Sequence, residues 1–443
     1  MNRKDIQIRR LLWLYFFLVI FEGALRKWLL PGLAQPLLVA RDPVCIIAIL
    51  LGFHHLQKQP WVFGFVGVGA LAIPLAIAFG HGNLPVAFFG ARILLLHFPV
   101  LFLFGAVFDR ADVWKFAKVT LLIAIPMTVL LAFQFYLPST HIVNVGVGGE
   151  GTSIFSGAAG RHRASGTFSF TNGLTSFYAL SGALFVGWLI AGPRPSPKWI
   201  WVSGASLIAA LPLTISRTLA FYYAITGLFA LISTGVSPKL LKRMIPAAIV
   251  LAIVVAGISQ TSLFQNSLEA FSARWESATR IEGGDDGLIG VIENRVIDYG
   301  LLSAFQNFDE YPITGMGIGL GTNVGAKLMT GERTFLIAEG GWGAILGELG
   351  PFLGLFLLGY RIVFACALGI AGLQATRYGN ALPLLLGSVA IQAMFMGNTS
   401  QPTDLGFLVL SCGLMLAAFN DSEDLENPET EALPSSKKIP PYA

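Results

Sequence analysis

Charge is the scarcest commodity in this sequence. Only 12% of its 443 residues are charged, about half the share of an ordinary soluble domain. That shortage excludes a soluble globular protein, which must dress its surface with ionised side chains. Cysteine is nearly absent too. Cys45, Cys366 and Cys412 all lie inside apolar runs, which argues against a disulfide framework or a zinc site. The six histidines fall into no metal-ligand spacing; His54-His55 sits at the end of an apolar block and His162 between two arginines. No internal repeat of solenoid length is present, and no matched pair of broken helices marks a transporter. The charged start, Met1 to Arg10, precedes an apolar run but no small-residue cleavage site, because Glu22, Arg26 and Lys27 follow. It reads as an uncleaved first span.

What fills the chain instead is hydrocarbon. Hydrophobic residues make up 54%, with 34 Phe and 50 Gly, and the mean hydropathy is +0.69. A membrane crossing takes about 20 largely apolar residues. The expected fold is all-α, a single polytopic domain over 1–419 with about twelve spans: 11–30, 37–56, 61–80, 84–108, 114–137, 171–191, 199–215, 218–235, 243–261, 341–371, 380–397 and 402–419. Between 262 and 337 no convincing span occurs, which predicts one large extracytoplasmic loop. Residues 420–443, acidic and then basic and poor in apolar side chains, are expected to be a disordered cytoplasmic tail.

Loop charge predicts orientation, since Lys and Arg mark cytoplasmic loops. Basic residues recur at Arg3–Arg10, Lys58, Arg110/Lys115/Lys118, Arg194/Lys198, Lys239/Lys242/Arg243 and Arg361/Arg377. With twelve spans, all of these fall on one side. Both termini are then cytoplasmic, and 80–84, 138–170, 216–217, 262–337 and 397–402 face outward.

Several polar residues interrupt the apolar blocks. An ionisable group inside a span is costly and marks either function or an internal ion pair. Glu22 with Arg26, one helical turn apart, and Arg41 with Asp42 fit the ion-pair reading, while Arg92 lies within the fourth span. Arg217 lies between the seventh and eighth spans with no acidic neighbour in sequence and fits a functional reading. Arg161-His-Arg163-Ala-Ser-Gly-Thr-Phe-Ser-Phe-Thr-Asn172 precedes the sixth span and gathers donors suited to a phosphate, although a solvated headgroup loop would look the same. Further on lie Arg274, Arg280, Arg295 and Asp298, then Gly315-Met-Gly-Ile-Gly-Leu-Gly321. The glycine run lacks the strand–helix context of a dinucleotide site and reads better as a tight backbone passage near substrate. Glu339 opens the span after the loop. As a carboxylate at the outer interface it is the candidate general base, with Glu348 a structural or substrate-facing polar group.

In this order, Arg163-Ala-Ser-Gly-Thr-Phe with Asn172, Ser216-Arg217, Arg295, Pro312-Ile-Thr-Gly-Met-Gly-Ile-Gly and Glu348-Leu-Gly resemble the O-antigen ligase and polymerase family. The resemblance covers roughly 160–360. Glu22-Gly-Ala-Leu-Arg-Lys-Trp and Arg41-Asp-Pro look like members encoded beside exopolysaccharide genes. It implies a GT-C-like helical fold in a bacterial cytoplasmic (inner) membrane. The implied activity is transfer of glycan from an undecaprenyl-diphosphate-linked oligosaccharide to an acceptor glycan at the outer face. Arg217 and Arg295 would hold the diphosphate, with Arg163 third, Arg161, Asp298, Arg274 and Arg280 as weaker contacts, and neither metal nor cofactor. A chain-length regulator is an implied partner; nucleic acid is not. Ligases of the family usually carry histidine where Glu339 stands, so the departure favours a repeat-unit polymerase over a ligase. A transporter or flippase of lipid-linked glycans is the alternative from a different class.

Overall fold

In lipid every backbone N–H and C=O must find a partner within its own segment, so long apolar blocks become helices. The computed structural model of the protein describes residues 2–149, 151, 155–158, 160–281, 287–306, 308, 311–332, 336–338 and 340–421. Its helices are α1 (Arg3–Ala24), α2 (Asp42–Leu56), α3 (Pro60–Ala78), α4 (Leu84–Arg92), α5 (Phe98–Val107), α6 (Arg110–Tyr136), α7 (Thr171–Ala191), α8 (Lys198–Leu213), α9 (Arg217–Val236) and α10 (Leu241–Ile258). There follow α11 (Ser262–Ile281), α12 (Gly287–Ile292), α13 (Ser303–Gln306), α14 (Asn323–Thr330), α15 (Gly341–Arg377), α16 (Leu382–Met396) and α17 (Pro402–Ala417). A π-helical turn, Ile93–His97, joins α4 to α5, and another, Leu25–Leu29, extends α1. Among the described residues the only paired strands are Phe155–Ser156 and His162–Arg163, antiparallel.

Helix starts follow local chemistry. Proline opens α3 and α17, where its missing N–H has no intrahelical partner to lose. The Asn83 side chain accepts from Val86 N at the head of α4, and Asp109 and Asp112 form a reciprocal capping box on α6.

Among the described residues, eight helical segments are long and apolar enough to cross a membrane, and α8, α16 and α17 are shorter apolar helices. The bundle is layered. The apolar window of α7 is 83% buried and that of α10 only 6%, so α7 is central and α10 peripheral. The described residues between 262 and 337 are largely helical. α11 buries Phe264, Ser267 and Ala270 at helical spacing, and Trp275 meets Phe221 of α9 with ring centroids 5.8 Å apart.

Contacts sort the loops into two ends. At one end Arg9 pairs with Asp112 (2.8 Å), His55 with Asp5 (2.9 Å), and Asn380 Nδ2 with Ala418 O (2.8 Å). At the other, Lys27 meets 165–168, Arg41 meets Pro402, and Gly341 abuts Gly397.

Two expectations need correcting. Arg41 does not pair with Asp42: its Nε donates to Glu22 Oε2 (3.1 Å), and Asp42 instead accepts from Arg92 (2.7 Å) and contacts His97 (3.1 Å). Neighbours in sequence at a helix start point in different directions, so each residue finds its partner on another helix. Glu22 does meet Arg26, at 3.5 Å. Nor does Arg361 belong to a basic loop. It is buried, donating to Met394 O (2.8 Å) and Gly397 O (3.0 Å) at the C-terminal end of α16, where a cation complements the free carbonyls.

Trp342 Nε1 donates to Phe395 O (2.8 Å), at the same end of α16 as Arg361. In one straight helix residues 342 and 361 would stand about 28 Å apart. The chain resolves this by doubling back at Gly350, whose φ of 73° only glycine adopts readily. α15 is therefore a short arm to residue 349 and a long arm from Pro351.

Candidate functional site

At the end away from the paired basic loops, a cavity of about 260 Å³ opens among α7, α9, α16 and α17. Arg163 lines it, with Asn172 and Ser176 from α7, Thr218 and Tyr222 from α9, Gln392 and Asn398 from α16 and its following turn, and Asp404 from α17. The Asn172 and Ser176 side chains donate to the Asp404 carboxylate. Gln392 Oε1 is buried without a protein partner, leaving an acceptor aimed at whatever fills the space.

Arg163 owes its place to a rigid turn. Lys27 is buried, and its ammonium donates to Ser165 Oγ (3.2 Å), Gly166 O (2.6 Å) and Phe168 O (3.0 Å). Gly166 sits at φ 58°, its N–H donating to Gln134 Oε1 (2.8 Å), and Thr167 Oγ1 donates to Ile20 O (2.8 Å). Gly23 lets this turn touch α1, because a Cβ there would lie 2.4 Å from Thr167 O. The Gly-Ala-Leu-Arg-Lys and Arg-Ala-Ser-Gly-Thr-Phe segments thus form one unit. A second strut runs from Glu22 through Arg41, whose Nη2 donates to Pro402 O (2.7 Å), two residues before Asp404.

Arg217 is buried at the first position of α9. Ser216 caps the helix by accepting from Leu219 N (3.3 Å), and its hydroxyl meets Thr175 Oγ1 (3.2 Å) on α7. A cation at a helix N-terminus opposes the dipole, a placement suited to an anion close by. Ile215 just before it has φ 47° and is fully buried. That left-handed conformation is a genuine outlier for a β-branched residue and costs on the order of 1–3 kcal/mol. Such strain gathers where a neighbouring side chain must be aimed.

The other expected residues scatter. Arg161 lies over the Phe135 and Tyr136 rings at 5.3 and 5.0 Å, a cation–π seat outside the cavity lining. Arg274 is half-buried beside Trp275, on the helix that meets α9 one turn beyond Arg217; Arg280 and Asp298 are exposed. Arg295 falls in the π-helical segment Glu293–Leu302. Glu339 lies outside the described residues, but Gly341 packs against Gly397 and Asn398, which line the cavity.

The glycine run is a tight passage, wedged between protein segments. Gly315, Gly317 and Gly319 all have positive φ. Met316 N donates to Gly347 O (2.8 Å), Gly317 N to Glu348 O (3.0 Å) and Gly321 N to the buried Glu348 Oε1 (2.7 Å). A Cβ on Gly315 would stand 2.3 Å from Glu348 O, and one on Gly319 2.1 Å from Val86 O. Glu348 is therefore a structural acceptor that clamps this run to the Gly350 reversal.

Asp404, Gln392, Asn398 and Tyr222 escaped the sequence reading. Asp404 had a signal: it is a lone carboxylate at the head of an apolar block, after the polar Asn398-Thr-Ser-Gln-Pro-Thr. Among the described residues one cluster has metal-ligand proximity, Asp5, His54 and His55, with donor atoms within 4.8 Å. Asp5 and His55 already bond each other there. In comparisons with known proteins, no family model matches the chain and no curated protein sequence matches it significantly.

Proposed function

We propose that the protein polymerises undecaprenyl-diphosphate-linked oligosaccharide repeat units at the outer face of the bacterial cytoplasmic membrane. The observation that carries this reading is the cavity in which Arg163, Asn172, Gln392 and Asp404 converge, next to the turn that starts with Arg217. Its walls supply a cation and a carboxylate with neutral donors between them, the set that glycosyl transfer from a diphosphate uses. In the topology expected from loop charge, about twelve crossings with cytoplasmic termini and 262–337 outside, that cavity faces the side where lipid-linked substrate arrives.

In the transfer, an acceptor hydroxyl attacks the anomeric carbon. The carbon–oxygen bond to the diphosphate breaks, and the lipid diphosphate leaves with both electrons of that bond. Arg163 and Arg217, with Arg295, stabilise the charge developing on the phosphate. The acceptor's proton passes to a carboxylate. Asp404, which lines the cavity, and Glu339, the carboxylate expected from sequence, are the two candidates for this role. The buried Glu22–Arg41 pair and the part-buried Asp42–Arg92 pair join helix to helix and fit a scaffold better than a transport path.

The test is reconstitution in sealed proteoliposomes with a fluorescent undecaprenyl-diphosphate oligosaccharide. A ladder of products rising by one repeat supports polymerase. A single transfer to lipid core without a ladder means ligase. Substrate translocated across vesicles without new glycosidic bonds means transporter and refutes the enzyme reading.

A further inference from the structure

The opposite end of the bundle carries a second, larger cavity, of about 440 Å³, lined by Arg110, Arg194, Arg243, Trp114 and Asp421. Its arginines come from three separate segments: the first turn of α6, the loop after α7, and the first turn of α10. Two of them are fixed in place. Arg194 donates to Leu189 O (2.7 Å) and Ser196 Oγ (2.8 Å), and Arg243 to Ile190 O (3.2 Å). Both close the C-terminal end of α7, where a cation complements the free carbonyls. A guanidinium has five N–H donors, so these contacts leave each arginine further donors. Arg110 pairs with the Asp421 carboxylate. The lining holds three cations and one anion, and with Asp109 acting on Arg110 from outside the lining the surroundings of this open space stay net positive.

The surroundings are those of a membrane interface. Trp114 packs edge-on against Trp188, and Trp188 against Trp199, with centroids 5.4 and 5.1 Å apart; tryptophan favours the headgroup level. Directly after Arg243, α10 presents Ile245, Ile249 and Ile253, 54%, 57% and 66% exposed. That four-residue spacing makes one continuous apolar stripe along the helix, beginning at the charged pocket.

We infer that this pocket is a binding site for an anionic glycerophospholipid, its phosphodiester held by Arg110, Arg194 and Arg243 and an acyl chain lying along the Ile245–Ile249–Ile253 stripe. Basic pockets between membrane helices suit such headgroups, and the stripe favours a lipid over a soluble phosphate, which has no use for it. Asp421 occupies part of the phosphate position and competes with it. This inference is independent of the proposed glycosyl transfer.

Native mass spectrometry of the full chain, released from micelles with equal dioleoylphosphatidylglycerol and dioleoylphosphatidylcholine, tests it. Phosphatidylglycerol should be retained at least about tenfold over phosphatidylcholine, and R110Q/R194Q/R243Q should erase that preference. R194Q and R243Q also remove caps from α7, so R110Q alone is the safeguard: it should lower the preference several-fold with the protein still monodisperse. D421N should raise it. Equal retention of the two lipids, or an unchanged preference in R110Q, overturns the site. Full displacement of the lipid by millimolar glycerol 3-phosphate or inorganic phosphate would assign the pocket to a soluble anion and overturn the lipid reading.

Discussion

Gly23→Ala adds a single methyl group and should disturb the candidate site from a distance. The new Cβ would stand 2.4 Å from Thr167 O and 2.8 Å from Phe168 Cα, both backbone atoms. Relief to ordinary contact, about 3.5 Å, needs the turn to retreat by about 1 Å. That motion stretches the 3.0 Å bond from Lys27 Nζ to Phe168 O and the 2.8 Å bond from Thr167 Oγ1 to Ile20 O. Overpacking costs about 1–3 kcal/mol, and weakening a bond to a charged donor adds about 1.5–3 kcal/mol if it is lost outright. A destabilisation of about 2–5 kcal/mol is expected. Reversible unfolding in mixed micelles, titrated with sodium dodecyl sulfate and followed by tryptophan fluorescence, measures it. Because Arg163 hangs from the same turn, polymer formation per folded molecule should fall as well. A shift under about 0.5 kcal/mol with normal activity would show that the turn is not pinned and would refute the reasoning.

Arg217→Ala and Arg163→Ala should each abolish polymer formation in protein that still inserts and folds, and Lys at either position should restore only part of it, since an ammonium cannot offer the planar fork; full activity in either alanine variant removes that arginine from the site. Asp404→Asn and Glu339→Gln separate the two candidate bases: the true one should slow turnover by about 10²–10⁴-fold with carrier binding retained, and if both variants turn over normally no carboxylate takes the proton. Glu348→Gln keeps an oxygen for Gly321 N and should be mild, whereas Glu348→Ala strands that buried N–H and should cost about 1–3 kcal/mol in the same unfolding titration; equal stabilities would deny the clamp. In a cysteine-free background, an impermeant maleimide added outside should label a cysteine at Asn266 but not one at Ser196, and the reverse pattern would invert the topology and the site with it.

Helix occupies each apolar block read from the sequence because that information is local. A run of apolar residues long enough for a bilayer has one way to satisfy its backbone, whatever its neighbours. The glycine run was legible as a tight passage for a similar reason, since four glycines in alternation announce backbone that only glycine adopts, and three of them take positive φ. Arg163 with Asn172 stood out because donors crowded one short stretch, and Arg217 because no acidic residue lies near it in sequence.

Partner choice was not local. Arg41 is adjacent to Asp42 in the chain yet bonds Glu22 and Pro402, and Asp42 bonds Arg92. Helix register, set by how whole apolar faces interlock, decides which charges meet. Lys27 passed for one more basic residue until three acceptors of the 165–168 turn closed around it. Gln392 and Asp404 became cavity walls only when α16 and α17 packed beside α7 and α9. The sequence by itself therefore determined that the chain is helical, with blocks long and apolar enough to cross a membrane, because backbone satisfaction in lipid depends on composition over about 20 residues. Tertiary structure alone decided which polar groups share a space, because that depends on contacts between segments hundreds of residues apart.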